Sequence, residues 1–256
     1  MKARDIYSFN GLIPLLVAVT TLVHRPLMAA TVSLRPIADT TLQEAFPTYN
    51  FGDGTTFTAG GRPRGGRTRA LIEFDVAGSI PTGATINSVT LSLSVVGVPS
   101  APVNSIFDLN RLLASWGEGN GADRGGTPAG PGQATWNNRF GTSGLAWTTA
   151  GGDFSSAVSG SRSISGLGSY TFASTALMIS DVQGWLNNPS SNFGWLLRSE
   201  SELTGYTIRR FGSRSDPSNT PILTVTYTLV PEPAALSLLV FGLAALGWRG
   251  ARTRPA

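Results

Sequence analysis

The side chains best suited to chemistry here are a set of large aromatic rings and a scatter of carboxylates. A pyranose is bound by stacking its apolar face on an aromatic ring while amides and carboxylates take its hydroxyls. Trp116, Trp136 and Trp147 lie beside glycine-rich segments and are the candidate carbohydrate-binding rings. Trp185 and Trp195 fall in apolar patterns and read as core, and Tyr206 completes the stock. Glycan hydrolysis by acid–base chemistry needs two carboxylates at a suitable separation. The near pairs are Glu73 with Asp75, Glu118 with Asp123, and Glu200 with Glu202. Asp75 follows an expected strand and reads as a cap, and Glu200 and Glu202 read as the solvated tip of a hairpin, so no pair stands out as catalytic. Asp39, Asn50 and Asp53 could supply hard oxygen ligands to a structural calcium, with Asp216 and Asn219 as further donors. The full calcium-loop pattern is missing after Asp53-Gly54, and Asp or Asn before Gly also stabilises a turn without metal.

Composition removes several reaction classes. The single His (His24) and the single Lys (Lys2) both fall in the first 30 residues, and there is no Cys. A body of residues 31–230 therefore has no Ser-His-Asp triad, Cys nucleophile, Schiff-base lysine or typical zinc site, and no disulfide. The net charge of +4 and a pI near 10.0 would suggest a nucleic-acid binder. Position argues otherwise. Residues 1–30 and 231–256 each carry +2, whereas 31–230 holds 13 Arg against 13 Asp or Glu. No nucleic-acid partner is expected. Gly60–Arg69 packs four Arg into eight residues, which could meet an acidic polysaccharide or phosphate, a solvated hairpin loop being the expected reading. No Walker loop or dinucleotide fingerprint is present.

The elements that must position these groups are mainly strands. Ile86–Val96 alternates strictly, with Val89, Leu91, Leu93 and Val95 on one face and Thr90, Ser92 and Ser94 on the other. Further strands are expected at 69–74, 106–112, 192–198, 206–211 and 222–227. Met178, Val182, Trp185 and Leu186 form a helical stripe. That helix can start from Ser174 or Thr175 as N-cap and must stop by Asn187-Asn188-Pro189. Residues 117–168 are glycine-rich and are expected to be long loops with short strands. The whole predicts one all-β, jelly-roll-like β-sandwich over 31–229 with one short helix.

The two ends read differently. Residues 1–30 predict a secretory signal peptide: Lys2 and Arg4, then the apolar run Gly11–Val23, then Pro26 and the small cleavage-site residues Ala29 and Ala30. Residues 230–256 comprise Val230-Pro231-Glu232-Pro233, a 15-residue apolar run over 234–248, and a basic tail with Arg249, Arg252 and Arg254. As a helix that run spans roughly 22 Å against a hydrocarbon core of roughly 30 Å, so it predicts a weak or temporary membrane anchor.

The order Pro-Glu-Pro, hydrophobic run, Arg-rich tail resembles the PEP-CTERM sorting signal. The resemblance implies a Gram-negative bacterium that makes an extracellular polysaccharide. It further implies processing by an exosortase near Pro231–Pro233, with signal peptidase acting at the other end. The body resembles the DNRLRE domain, classed among carbohydrate-binding-module-like β-sandwiches. The strings that carry this are Ala38-Asp-Thr40, Asn50-Phe-Gly52, Ala70–Asp75, Ile80–Ile86, Trp116-Gly-Glu118, Ala134–Asn138, Asp181–Trp185, Asn192-Phe-Gly194, Phe211–Arg214 and Pro221–Tyr227. They keep their order over nearly all of 38–228. The literal Asp-Asn-Arg-Leu-Arg-Glu string is absent, Arg67-Thr-Arg69 being the nearest. The expectation is an exported, non-catalytic matrix or cell-surface protein that meets polysaccharide, the alternatives being a carboxylate-based polysaccharide-acting enzyme and a purely structural surface protein.

Overall fold

The computed structural model describes residues 28–122, 125–141 and 145–229. The signal segment up to residue 27, the sorting segment 230–256 and Asp123 lie outside the described residues. In chain order the strands are β1 (Ala29–Leu34), β2 (Pro36–Gln43), β3 (Tyr49–Asn50), β4 (Thr56–Gly61), β5 (Arg67–Phe74) and β6 (Thr85–Gly97). They continue with β7 (Ser105–Leu112), β8 (Thr127–Pro128), β9 (Phe154–Ile164) and β10 (Gly168–Phe172). Helix α1 (Ala176–Asn187) precedes β11 (Trp195–Ser199), β12 (Arg209–Gly212) and β13 (Ile222–Thr228).

Every strand pairing is antiparallel. Two long strands organise the sandwich. On β6, Leu91 pairs with Leu223 on one side and Phe172 on the other, and Val95 with Phe211 and Gly168. Thus β10 covers one edge while β13 and then β12 share the other. On β5, β2 lies along one edge, while β4 and then β11 share the other. Since β4 also pairs with β12, it links the two sheets into one curled sheet, which β7 and β9 extend beyond β11 and β1 beyond β13.

The alternation on β6 works as its sequence requires. Val89, Leu91, Leu93 and Val95 are buried between the sheets. The opposite face is hydroxyl-rich and wet: Ser92 Oγ lies 2.9 Å from Thr171 Oγ1, and Thr31 Oγ1 3.0 Å from Thr226 Oγ1. The inner core adds Phe57, Phe74, Phe107, Phe172 and Phe211, closed by α1. Thr175 caps α1, its Oγ1 accepting the Met178 N–H, and the helix stops before Pro189, as expected. Its stripe seats Trp185 edge-on to Trp195 at 4.6 Å, so both rings are core as expected.

Two expectations need correction. Residues 117–168 contain β9, an 11-residue strand, because its Ser and Gly residues pair with β7 along an otherwise open sheet edge. The strand expected at 206–211 is only β12. Residues 200–208 form no hairpin, because β11 pairs with β5 and β7 whereas β12 pairs with β4 and β6. This crossing loop is tied down by the fully buried Arg209, whose Nη1 donates to the carbonyls of Thr207 and Ile208 and whose Nη2 donates to Val103 O.

Candidate functional site

Strand β5 is buried on both faces. Ala70, Ile72 and Phe74 face the inner core, while Leu71 faces a second cluster with Leu42, Leu112, Trp116, Ala134, Trp136, Trp147 and Leu196. The described residues of the glycine-rich segment 113–153 form this outer layer by folding back over the sheet. Gly117 has no room for a side chain, since a Cβ there would strike the carbonyl of Gly132. This places the three candidate carbohydrate-binding tryptophans. Trp116, Trp136 and Trp147 are 7%, 4% and 5% exposed, so their faces pack against protein instead of standing open as platforms. The Trp116 indole donates to Phe193 O at 2.9 Å and that of Trp147 to Thr135 O at 2.8 Å. Proximity to glycine was misleading because the glycines allow close packing of the rings. Of the ring stock, Tyr206 remains 38% exposed, with a left-handed φ of 67°.

Beside the buried Trp136 lies a cleft of about 780 Å³, bordered by Leu113 and Ala114, by Arg139, and by residues 146–154. Arg67 and Arg69 extend along it from β5, their guanidiniums 5.0 and 5.1 Å from the Trp136 ring. Arg67 is held by Glu44, with Nε and Nη2 on the two carboxylate oxygens. Arg69 is buried and makes a bidentate pair with Glu202 at 2.9 and 2.6 Å, its Nη1 donating to Gly151 O. The Glu202 carboxylate, expected to be solvated, is therefore sequestered: it is 7% exposed and neutralises Arg69. Arg139 is different, with one bond of 3.3 Å to Ser115 O and no acidic partner among the described residues. Asp153 is spent on the backbone N–H groups of Thr148 and Thr149. The arginine-rich hairpin thus divides its four cations: Arg62 sits over Phe46, Arg64 is exposed, and Arg67 and Arg69 serve the cleft.

A second convergence lies at the β2 end of the sheet. Glu118 accepts the Asp39 N–H at 2.8 Å and grips the Arg214 guanidinium with both oxygens. Asp39 in turn accepts the Arg214 N–H. Asn50, fully buried, accepts from Gly52 and Gly121 N–H and donates to the carbonyls of Glu118 and Ala134. These bonds occupy Asp39 Oδ2 and Asn50 Oδ1, two of the oxygens offered for calcium. The cation amid Asp39, Asp53 and Glu118 is Arg214, whose pKa Glu118 raises further. Asp53 itself is exposed and bridges through its backbone to Ala122. Among the described residues no three His, Cys, Asp or Glu side chains are grouped to hold a metal. Asp39 and Asn50, two of the residues offered for calcium, thus belong to an internal ion-pair and amide knot, with Asp53 exposed beside it.

Two carboxylates are strongly perturbed. Burial, reinforced by the charge of Glu118, pushes Asp39 up to about 7. Burial, then Asp75 and Glu118, pushes Glu73 up to about 7. Such a shift suits a general acid. Asp39, however, is 3% exposed and bonded to the Arg214 backbone, out of reach of a polymer. Asp75 caps its turn by accepting the Gly78 N–H, as expected, and Glu200 is exposed. Sequence reasoning missed the Arg69–Glu202 and Glu118–Arg214 pairs because their partners lie 133 and 96 residues apart. Compared with models of known protein families the chain matches none, and no curated protein matches it.

Proposed function

We propose that this chain is an exported, non-catalytic matrix or cell-surface protein whose folded body binds polysaccharide in the cleft of Arg67, Arg69 and Arg139. The carrying observation is Arg139, a cation without an acidic partner among the described residues, in a cleft where Leu113 and Phe154 offer apolar contact to sugar C–H groups. Glu44 and Glu202 neutralise Arg67 and Arg69, so Arg139 is the guanidinium left to meet an anionic group of the polymer. Export is read from the basic and apolar ends. Ala29 pairs with Thr228 across β1 and β13, so the described body begins and ends side by side. Exosortase processing at Val230–Pro233 then frees the body. Signal peptidase cleavage after Ala30 leaves β1 to begin at Thr31.

The test is binding of the exported protein to the host's own exopolysaccharide and to a glycan array, with and without calcium. Arg139→Ala is expected to weaken binding at least about fivefold and reduce its salt dependence, and Arg64→Ala, outside the cleft, to leave it unchanged. Absence of binding to any glycan returns the reading to a purely structural surface protein. Release of reducing ends or unsaturated sugars favours an enzyme. Mass spectrometry of the exported chain is expected to show a C-terminus near Val230–Pro233. An intact Arg254-Pro-Ala end overturns processing.

A further inference from the structure

The DVQGW string of α1 encloses a feature that the cleft does not use. Asp181 and Trp185, one helical turn apart, wall a cavity of about 400 Å³ between α1 and strands β7 and β9. It is separate from the cleft. Arg111 shares the inward face of β7 with Phe107 and Leu109, whereas Leu112 faces the outer layer.

The polar groups of this cavity are pre-set. Asp181 Oδ2 accepts from Ser159 Oγ at 2.5 Å and from the Trp195 indole N–H at 2.8 Å, which fixes its carboxylate plane. Its Oδ1 lies 3.2 Å from Arg111 Nε, leaving both terminal nitrogens of Arg111 without a hydrogen-bond partner among the described residues. The Trp185 indole N–H is buried and likewise unpartnered. Buried donors are almost always satisfied, and this one stands on a residue that lines the cavity. Ser155 and Ser180 add hydroxyls, and Leu177, 45% exposed, adds an apolar surface.

A planar Arg–Asp pair offers a donor and an acceptor side by side, which is the pattern presented by two adjacent hydroxyls of a sugar ring. The wall as a whole is neutral, one cation facing one anion, so it does not select for charge. We infer that this cavity is a second binding site, taking a single neutral sugar unit whose adjacent hydroxyls bridge Arg111 and Asp181. It does not rest on the cleft. If both hold, one module grips a glycan at two places on opposite faces of one sheet.

The test uses the full chain in detergent, titrated with glucose, galactose, mannose and, as the charged comparison, glucuronate, read by calorimetry and by the indole N–H resonances. At least one neutral hexose is expected to bind with a Kd of roughly millimolar order, given its few atoms, and to shift an indole resonance. Arg111→Ala is expected to weaken this about tenfold or more. Arg111→Lys, which keeps the charge but loses the planar fork, is expected to weaken it too. Arg139→Ala is expected to leave hexose binding intact while weakening the polymer, which distinguishes failure of either site. No binding of any neutral hexose, binding of glucuronate alone, or hexose binding unchanged by both Arg111 substitutions would each overturn the proposal.

Discussion

The two faces of β5 teach different lessons. Its inner face belongs to a core of strand and helix side chains drawn from the whole chain. Its outer face carries a smaller cluster covered by one contiguous loop segment, 113–153, with three tryptophans supplying most of the bulk. The inner core is made by regular pleats that interdigitate. The outer layer has almost no regular structure and is held by specific bonds: two indole N–H donors on carbonyls, the Asn50 amide, and Arg69 reaching to Gly151 O. A layer built in this way is expected to open locally before the sandwich unfolds.

The largest expected effect comes from the buried ion pair of Arg69 and Glu202 under the outer layer. Glu202→Gln leaves Arg69 buried with its charge uncompensated, and loses about 3–5 kcal/mol of stability in urea denaturation. A loss below about 1 kcal/mol would mean that water already reaches this pair. Trp136→Ala is expected to cost about 3 kcal/mol or more, as large-to-small core changes do. Hydrogen exchange should rise in 113–153 and stay slow in β6. Equal loss of protection in β6 would break the comparison, because the outer layer would then be one cooperative unit with the core. A binding defect in Trp116→Ala or Trp136→Ala would report loss of this layer, so Arg139→Ala is the cleaner probe of the cleft.

The next effect is a pH dependence seated at the β2 end. Asp39 and Glu73 both have folded values raised to about 7, through burial first. Between about pH 4 and 7 the folded state therefore holds more protons than the unfolded chain. Their contribution is complete below the unfolded values and is lost as pH rises through 7. Thermal melts are expected to fall from pH 5 to pH 8, and Glu73→Gln to flatten the curve. A melting temperature that rises over this range contradicts the burial of these carboxylates. The smallest effect is expected on the solvated face of the other sheet, where Thr226→Val should change stability by about 0.5 kcal/mol or less, measured by the same melts.

How much was legible depended on the range of the physics involved. β6 and α1 could be read directly, since period two with Ser and Thr outward, and a stripe closed by Thr175 and Pro189, are local signals. β9 was not legible, because Phe154–Ile164 has little apolar alternation and becomes a strand through its pairing with β7. The quoted strings mark structure more than chemistry: Asn50, Gly117, Glu118, Asn192 and Arg214 each hold a loop or strand end in place. A polar residue bonded to distant backbone looks, in a sequence, the same as one waiting for a ligand.

By itself, the sequence determined the all-β class, the helix over Ala176–Asn187, the neutral body between two basic ends, and the lack of His, Lys and Cys after residue 30. Composition and short-range periodicity suffice for these. Only the tertiary structure decided which tryptophans are covered, which carboxylates face an arginine, and where cations remain unpaired. Those outcomes depend on burial and on partners far apart in the chain, such as Arg69 with Glu202 and Glu118 with Arg214. Long-range pairing leaves no trace in local spacing. Burial covers the three tryptophans, and the lack of an acidic partner among the described residues leaves Arg139 to carry the proposed surface.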